Sequence, residues 1–389
     1  MPTRRTLLVS AAAAPLGAAA HKASNGPGIY ARLGVRPVIN GVGVVTVLGG
    51  SIMPPEVVRA MDEASRHFVP LPELQRKVGA RLAELLHVPA AMVTGGAASS
   101  ITVATVACMA RGDSRKLQQL PGTTGIPFEV VQQKSHRSGY EAQMSLVGAK
   151  VVWVETRQEL DAAIHDRTAM MFFLNKADPD GRIRRDEWVR VGKERGVPTF
   201  NDAASDATPK ENLWKYVQEG FDLVAFSGGK ALLGPQCSGL LLGRKDLVEA
   251  ALPGMSPAGG IGRGMKVGKE EMVGLLAAVE RYLKVDHDAE MRELESRVEY
   301  ILRTLGKIDG VKATQHVPKI ANEVPHAWIE WDEPARKITS QQVVDQLREG
   351  DPPIHVQRPG PGKLLISVWM MRANEHRIVT RRLEEVFRG

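Results

Sequence analysis

At 389 residues, 43% hydrophobic and 24% charged, the chain has an ordinary globular composition, large enough for a sizeable core and two domains. Its net charge of +7 is mild for this length, and lysines and arginines are scattered among acids, which excludes a nucleic-acid footprint from the reading. The two cysteines, Cys108 and Cys237, match no metal or redox spacing and are read as buried, inert thiols.

The first residues, MPTRRTLLVSAAAAPLGAAAHKA, join adjacent Arg4 and Arg5 to an Ala/Leu/Val stretch that ends at Ala18-Ala19-Ala20, an A-x-A-like cleavage site. The apolar part is too short and too weakly hydrophobic to span a membrane. A twin arginine before a mild apolar region predicts a Tat-type signal over residues 1–20 and a periplasmic mature protein that is not membrane-bound after cleavage.

From residue 55 onward helical and strand patterns alternate. PPEVVRAMDEASRHF and PELQRKVGARLAELLHV carry apolar residues at helical spacing with prolines at the entry. AAMVTGG then leads into a buried helix, AASSITVATVACMAR. Further strands are predicted at 128–133, 150–155, 168–175, 197–204, 222–229 and 238–243. The segments SGYEAQMSLVGA, RQELDAAIH, RDEWVRVGKERG and ENLWKYVQEG read as the helices between most of them. Short apolar strands alternating with helices define an α/β domain with a mostly parallel sheet covered on both faces. Beyond a Gly-rich basic loop, SPAGGIGRGMKVGKEE, one long helix is predicted from Lys269 to Leu305. A smaller α+β unit follows, with strands near 311–316, 326–331 and 364–369 and helices near 339–349 and 374–388. The expected organisation is a signal at 1–20, an N-terminal segment and large domain at 21–285, and a small domain at 286–389.

Ligands of open α/β sheets sit beyond the carboxyl ends of the strands. Three such ends here carry suggestive residues. In VTGGAASS, Gly95 and Gly96 turn a strand into a helix, which makes either an anion cup of bare N–H groups or simply a tight turn. In TFNDAASD, Asp202 ends a strand as either a helix N-cap or the partner of a cationic ligand atom. In DLVAFSGGKALLGPQCSGLLLG, Lys230 stands among glycines after an apolar run. A lysine withdrawn from water has a lowered pKa and serves as nucleophile and base. Ser227 offers a hydroxyl on the same turn. A phosphate cup, a carboxylate and a lysine together meet the needs of pyridoxal 5′-phosphate (PLP): N–H donors for its phosphate, an acid for its ring nitrogen and an amine for its aldehyde.

The segment FSGGKALLGPQCSGLLLGRKDLV resembles the cofactor-lysine segment of the SelA-like branch of fold-type-I PLP enzymes, the branch of D-glucosaminate-6-phosphate ammonia-lyase and selenocysteine synthase-related proteins. GVRPVINGVGVVTVLGGSIMPPEVVRAM, LPGTTGIPFEVVQQKSHRSGY and GRGMKVGKEEMVGLLAA resemble further segments of that family in the same order. The resemblance implies the PLP-dependent transferase fold of type I. It makes Lys230 the cofactor-bearing lysine, Asp202 the acid at the pyridine nitrogen, and Gly95, Gly96 and Ala97 the phosphate turn, with Ser227 as a further phosphate contact. It also implies that His136 stacks on the cofactor, that Arg263 and Lys266 approach the site from a basic loop of the same or a neighbouring subunit, and that Arg372, or else Arg358, binds a substrate carboxylate.

The implied activity is that of a lyase forming a 2-keto acid and ammonia from a hydroxylated amino acid or amino-sugar acid. A racemase, an aldolase and a non-catalytic PLP-binding protein are the alternatives. Selenium transfer to tRNA is disfavoured by the export signal and by the missing N-terminal tRNA-binding domain. The expected partners are a small amino-acid-type substrate and further copies of the chain in a homodimer or higher homo-oligomer.

Overall fold

The structure, a computed structural model, describes residues 28–388, so the signal expected at 1–20 lies outside the described residues. Residues up to Val38 form a separate unit, described only by one helical turn at Ile29–Arg32. The remainder is built on two sheets. Among the described residues no helix is long and apolar enough to cross a membrane.

The strands in chain order are β1 (Ile39–Gly41), β2 (Ala90–Thr94), β3 (Glu129–Gln133), β4 (Lys150–Val154), β5 (Thr168–Leu174), β6 (Thr199–Asp202), β7 (Leu223–Ser227), β8 (Gly239–Gly243), β9 (Val311–His316), β10 (His326–Trp331), β11 (Ile354–Gly360) and β12 (Lys363–Ser367). The larger sheet runs β2-β8-β7-β6-β5-β3-β4. Its inner strands are buried because both faces are covered: every residue of β5, TAMMFFL, is buried, and so are the polar Gln132 and Gln133 of β3 and Asn201 of β6. The helix Ala97–Ala110 crosses its centre and is buried along most of its length, Ile101 and Val103 to Ala110 included, so it shows no polar face.

The sheet is parallel from β4 through β7, but β8 runs antiparallel to both β7 and β2. The connection at 228–238 is too short for the crossover that a parallel partner of β7 requires. Two antiparallel steps restore direction, so β2, β6 and β7 all point the same way. Their carboxyl ends, which carry Gly95-Gly96, Asp202 and Lys230, therefore share one edge of the sheet.

The smaller sheet runs β1-β11-β12-β10-β9. The helices His287–Leu305, Ser340–Glu349 and Glu375–Arg388 cover it through Val298, Ile301, Val344, Leu347, Leu383 and Phe387. Its outermost strand, β1, comes from the N-terminal segment and pairs in parallel with β11, with Ile39 opposite Ile354. The single helix expected from Lys269 to Leu305 is two, Lys269–Tyr282 and His287–Leu305. Asp286 breaks it by capping the second: its carboxylate accepts the Ala289 N–H at 2.9 Å.

Candidate active site

The first wall of the site is the turn after β2. Gly96 has φ +134°, a conformation that side chains avoid, and the space where its Cβ would stand is open. No side chain caps the helix Ala97–Ala110 that starts here, so its first N–H groups are left for a ligand. Thr94 fixes the turn through its hydroxyl, 3.0 Å from the Gly96 carbonyl and 2.7 Å from the Ser100 hydroxyl. Gly239 of β8 packs so closely beneath that an added Cβ would stand 2.4 Å from the Gly96 carbonyl carbon. Gly239→Ala is therefore expected to destabilise the protein by about 1–3 kcal/mol, as overpacking does. Urea unfolding should show that loss together with weaker inorganic phosphate binding; unchanged values for both would contradict this account of the turn.

The second wall is the end of β6. Asp202 is buried, and no helix starts there, since the next begins at Asn212, so it is not an N-cap. Its Oδ1 accepts the Ala204 N–H at 3.1 Å, and no ion pair satisfies it among the described residues. Burial holds the carboxyl above its ordinary range, against the opposing pull of the Ala204 N–H, Lys230 and Lys176. A buried acid short of a cation is what a protonated heterocyclic nitrogen would complete.

The third wall is the connection between β7 and β8. Gly228 N–H donates to the Ser238 carbonyl at 2.9 Å and Gly234 N–H to the Gly228 carbonyl at 2.8 Å, closing a tight loop around Lys230. The lysine is half-buried, and its Nζ donates to the Ser205 hydroxyl at 2.8 Å. Burial pulls its pKa below the usual value, Asp202 and Asp206 oppose that, and Lys176 adds to it.

Gly95, Gly96, Ala97, Asp202, Ser227 and Lys230 line one cavity of about 240 Å³. Sequence reasoning missed Tyr140, Lys176, Ser205 and Asp206, which line it too. Lys176 follows β5, and Ser205 and Asp206 lie one turn past β6, so the strand-end rule could have found them. A second cavity of equal volume lies beside Tyr282, His287 and Trp369. Its arginines are already paired, Arg281 with Glu56 and Arg297 with Glu293, and it has no free helix N-terminus.

Other expected residues are not brought to the cavity. His136 is fully buried; its Nδ1 accepts the Leu174 N–H at 3.2 Å and its ring meets Phe173 edge-on at 4.5 Å. Burial pushes its pKa down to about 4, so the ring is a neutral core group. The short helical turn Lys134–His136 directs it inward, and Tyr140 of the same loop is the aromatic at the cavity. Arg263 is exposed and donates to the Ser256 hydroxyl at 3.1 Å. The Lys266 side chain is exposed, although its backbone carbonyl packs against Gly95. Arg372 and Arg358 are exposed as well, with the Arg372 N–H donating to Glu375. Cys108 is buried, and burial pushes its thiol up to about 12, whereas Cys237 is exposed, contrary to the reading of both as buried.

A lysine, a buried carboxyl and a bare helix N-terminus, at the carboxyl ends of three strands of an α/β sheet, are the layout of a fold-type-I PLP enzyme. The residues present fit that cofactor: the space at Gly96 and the uncapped N–H groups suit its phosphate, Asp202 its ring nitrogen and Lys230 its aldehyde.

Comparison with known proteins agrees. The family described as "SelA: L-seryl-tRNA selenium transferase" matches residues 156–296. A 5'-C-glycyluridine monooxygenase-decarboxylase of Streptomyces sp is 33% identical over 372 residues, which cover 92% of this chain and 91% of the relative. The D-glucosaminate-6-phosphate ammonia lyase of Salmonella typhimurium is 29% identical over 343 residues, 85% of this chain and 90% of the relative. A solved structure of D-glucosaminate-6-phosphate ammonia-lyase superposes with a TM-score of 0.81 at 28% identity, covering 93% of this chain and 98% of that one. The chain belongs to the SelA-like family of fold-type-I enzymes, and its cofactor is pyridoxal 5′-phosphate.

Proposed function

We propose that the protein is a PLP-dependent lyase that releases ammonia and a 2-keto acid from a hydroxylated amino acid or amino-sugar acid. One observation carries this reading: the Lys230 amine, the Asp202 carboxyl and the bare N-terminus of the Ala97–Ala110 helix open into a single cavity. The ammonia-lyase relative supplies the reaction class.

When bound, PLP draws electrons away from the Cα of an amino acid joined to it. The chain binds, orients and moves protons. The N–H groups that open the helix hold the phosphate at the positive end of the helix dipole. Asp202 keeps a proton on the pyridine nitrogen. Lys230, partly withdrawn from water, yields a neutral amine more readily than a surface lysine and takes the Cα proton. Ser205 fixes that amine from one side. A β-hydroxyl then leaves as water, and the unsaturated amine released from the site rearranges and hydrolyses to keto acid and ammonia.

The Streptomyces relative favours a second reading, oxidative decarboxylation of an amino acid with molecular oxygen, which begins with the same activation at Cα. The two separate in a screen of D- and L-amino acids run in air and without oxygen. Ammonia and keto acid under both conditions are expected of the lyase. Oxygen uptake with carbon dioxide release would replace the first reading by the second. Amino acid recovered without optical activity would overturn both in favour of racemisation. A colourless protein that gains no visible band with added PLP would end the whole reading.

A further inference from the structure

The turn that follows β6 carries a second acid. Its sequence is Asp202-Ala203-Ala204-Ser205-Asp206, and the Asp206 N–H closes it on the Ala203 carbonyl at 3.0 Å. Both carboxyls of this turn, with Ser205 between them, line the cavity that holds Lys230. Asp206 is only 1% exposed, and its Oδ1 has no hydrogen-bond partner. A buried carboxyl oxygen without a partner is costly, and it persists where a site uses it.

We propose that Asp206 is the site's second acid–base group and exchanges a proton with the Lys230 amine across the cavity they share. The proposal rests on the reading of Lys230 as the cofactor-bearing amine. The proton leaves the half-buried Lys230 ammonium and enters the buried Asp206 carboxylate, turning two charges into a neutral amine and a neutral acid. Because burial penalises both ions, it favours that neutral pair.

The surroundings agree in sign. Asp202 and Glu323 face Asp206 as further acids, Lys230 and Lys176 share its cavity as cations, and Tyr216 is a phenol whose own ionisation burial and Asp206 oppose. Arg185, near Tyr216, is already engaged by Asn175 and Glu219. Burial, with Asp202 and Glu323 adding to it, outweighs the hydrogen bonds from Asn175 and Ala321 and brings Asp206 up to about 7. The lysine is lowered at the same time, so the two ionisations approach each other, which is the condition for exchange. Asp202 does not take this part, because its place is at the ring nitrogen. Asp206 acts through the lysine and is a positioning residue.

The test uses apoprotein. Limiting acetic anhydride labels Lys230, and mass spectrometry of its peptide gives the rate against pH. Wild type is expected to rise in two steps, the lower one near the Asp206 value of about 7. D206N should lose the step near 7 and label faster than wild type at mildly alkaline pH, because Asp202 alone then holds the ammonium. D206E, which keeps the acid, should restore two steps. Superimposable profiles for wild type and D206N would overturn the proposal. Should D206N fail to fold, carbon-13 titration of labelled aspartate in wild-type apoprotein decides: one carboxyl must titrate in the neutral range with the midpoint of the lower labelling step. Its absence overturns the proposal. Because no turnover is measured, failure of the lyase reading leaves this result intact, and a single-step wild type leaves the lyase reading standing.

Discussion

Lys230→Ala is expected to remove the visible absorbance of the PLP-loaded protein and to lower turnover by at least roughly 10²–10⁴-fold, the contribution of one positioned general base. The loss should exceed that range, because in the proposed reading the same amine also anchors the cofactor covalently. Borohydride should add the cofactor's mass to the Lys230 peptide of wild type and add nothing to the variant. The fold should survive: the side chain makes one hydrogen bond, to Ser205, so stability should change by no more than about 0.5–1.5 kcal/mol. A visible band that persists in the variant would move the anchor elsewhere and refute the site as built here.

Asp202→Asn should have the second largest effect. It keeps shape and volume while removing the charge that the proposed reading sets opposite the ring nitrogen. An opposite charge in contact raises such a pKa by about 1–3 units, so the protonated fraction at neutral pH should fall by up to roughly 10–1,000-fold, and kcat with it. The cofactor should still bind, since the phosphate turn and Lys230 are untouched. Apoprotein stability supplies an independent reading. Asp202 is held above its unfolded value by burial, so the folded state binds the extra proton, and wild type loses stability as pH rises from about 4 through the folded pKa. The variant carries no such ionisation, so its Tm should gain on wild type across that interval. A Tm difference independent of pH would contradict the assigned burial effect, and unchanged kcat would remove Asp202 from the chemistry.

What could be read from the sequence follows from which signals are local. Apolar runs ending in glycine or aspartate marked β2, β6 and β7, and the strand-end rule grouped Gly95, Gly96, Asp202, Ser227 and Lys230, which line one cavity. The direction of a loop side chain is not a local property. His136 turned inward because Leu174 and Phe173, on a different strand, offered it a hydrogen bond and an edge contact. Arg263, Lys266 and Arg372 were placed by family resemblance, and in the single chain their side chains face solvent. β11 reads IHVQRPG, too polar and too interrupted to announce a strand, and β1 has three residues and no period at all. The break at Asp286 was legible in principle, since an aspartate just before a helical run is a common start signal.

The pairing of β1 with β11 has a consequence for the order in which the molecule assembles. Ile39 meets a partner 315 residues later, a closure that would cost about 5 kcal/mol from a fully open chain by the logarithmic loop law. The antiparallel pairs β9 with β10 and β11 with β12 join neighbours in the chain and close cheaply. By that argument those pairs, and the large sheet between, are expected to form first and to shorten the effective loop before β1 adds to the edge. On the ribosome the N-terminal strand is made early and must wait, its hydrogen bonds satisfied by water, until residue 356 has emerged. The first strand among the described residues is expected to be among the last to find its place.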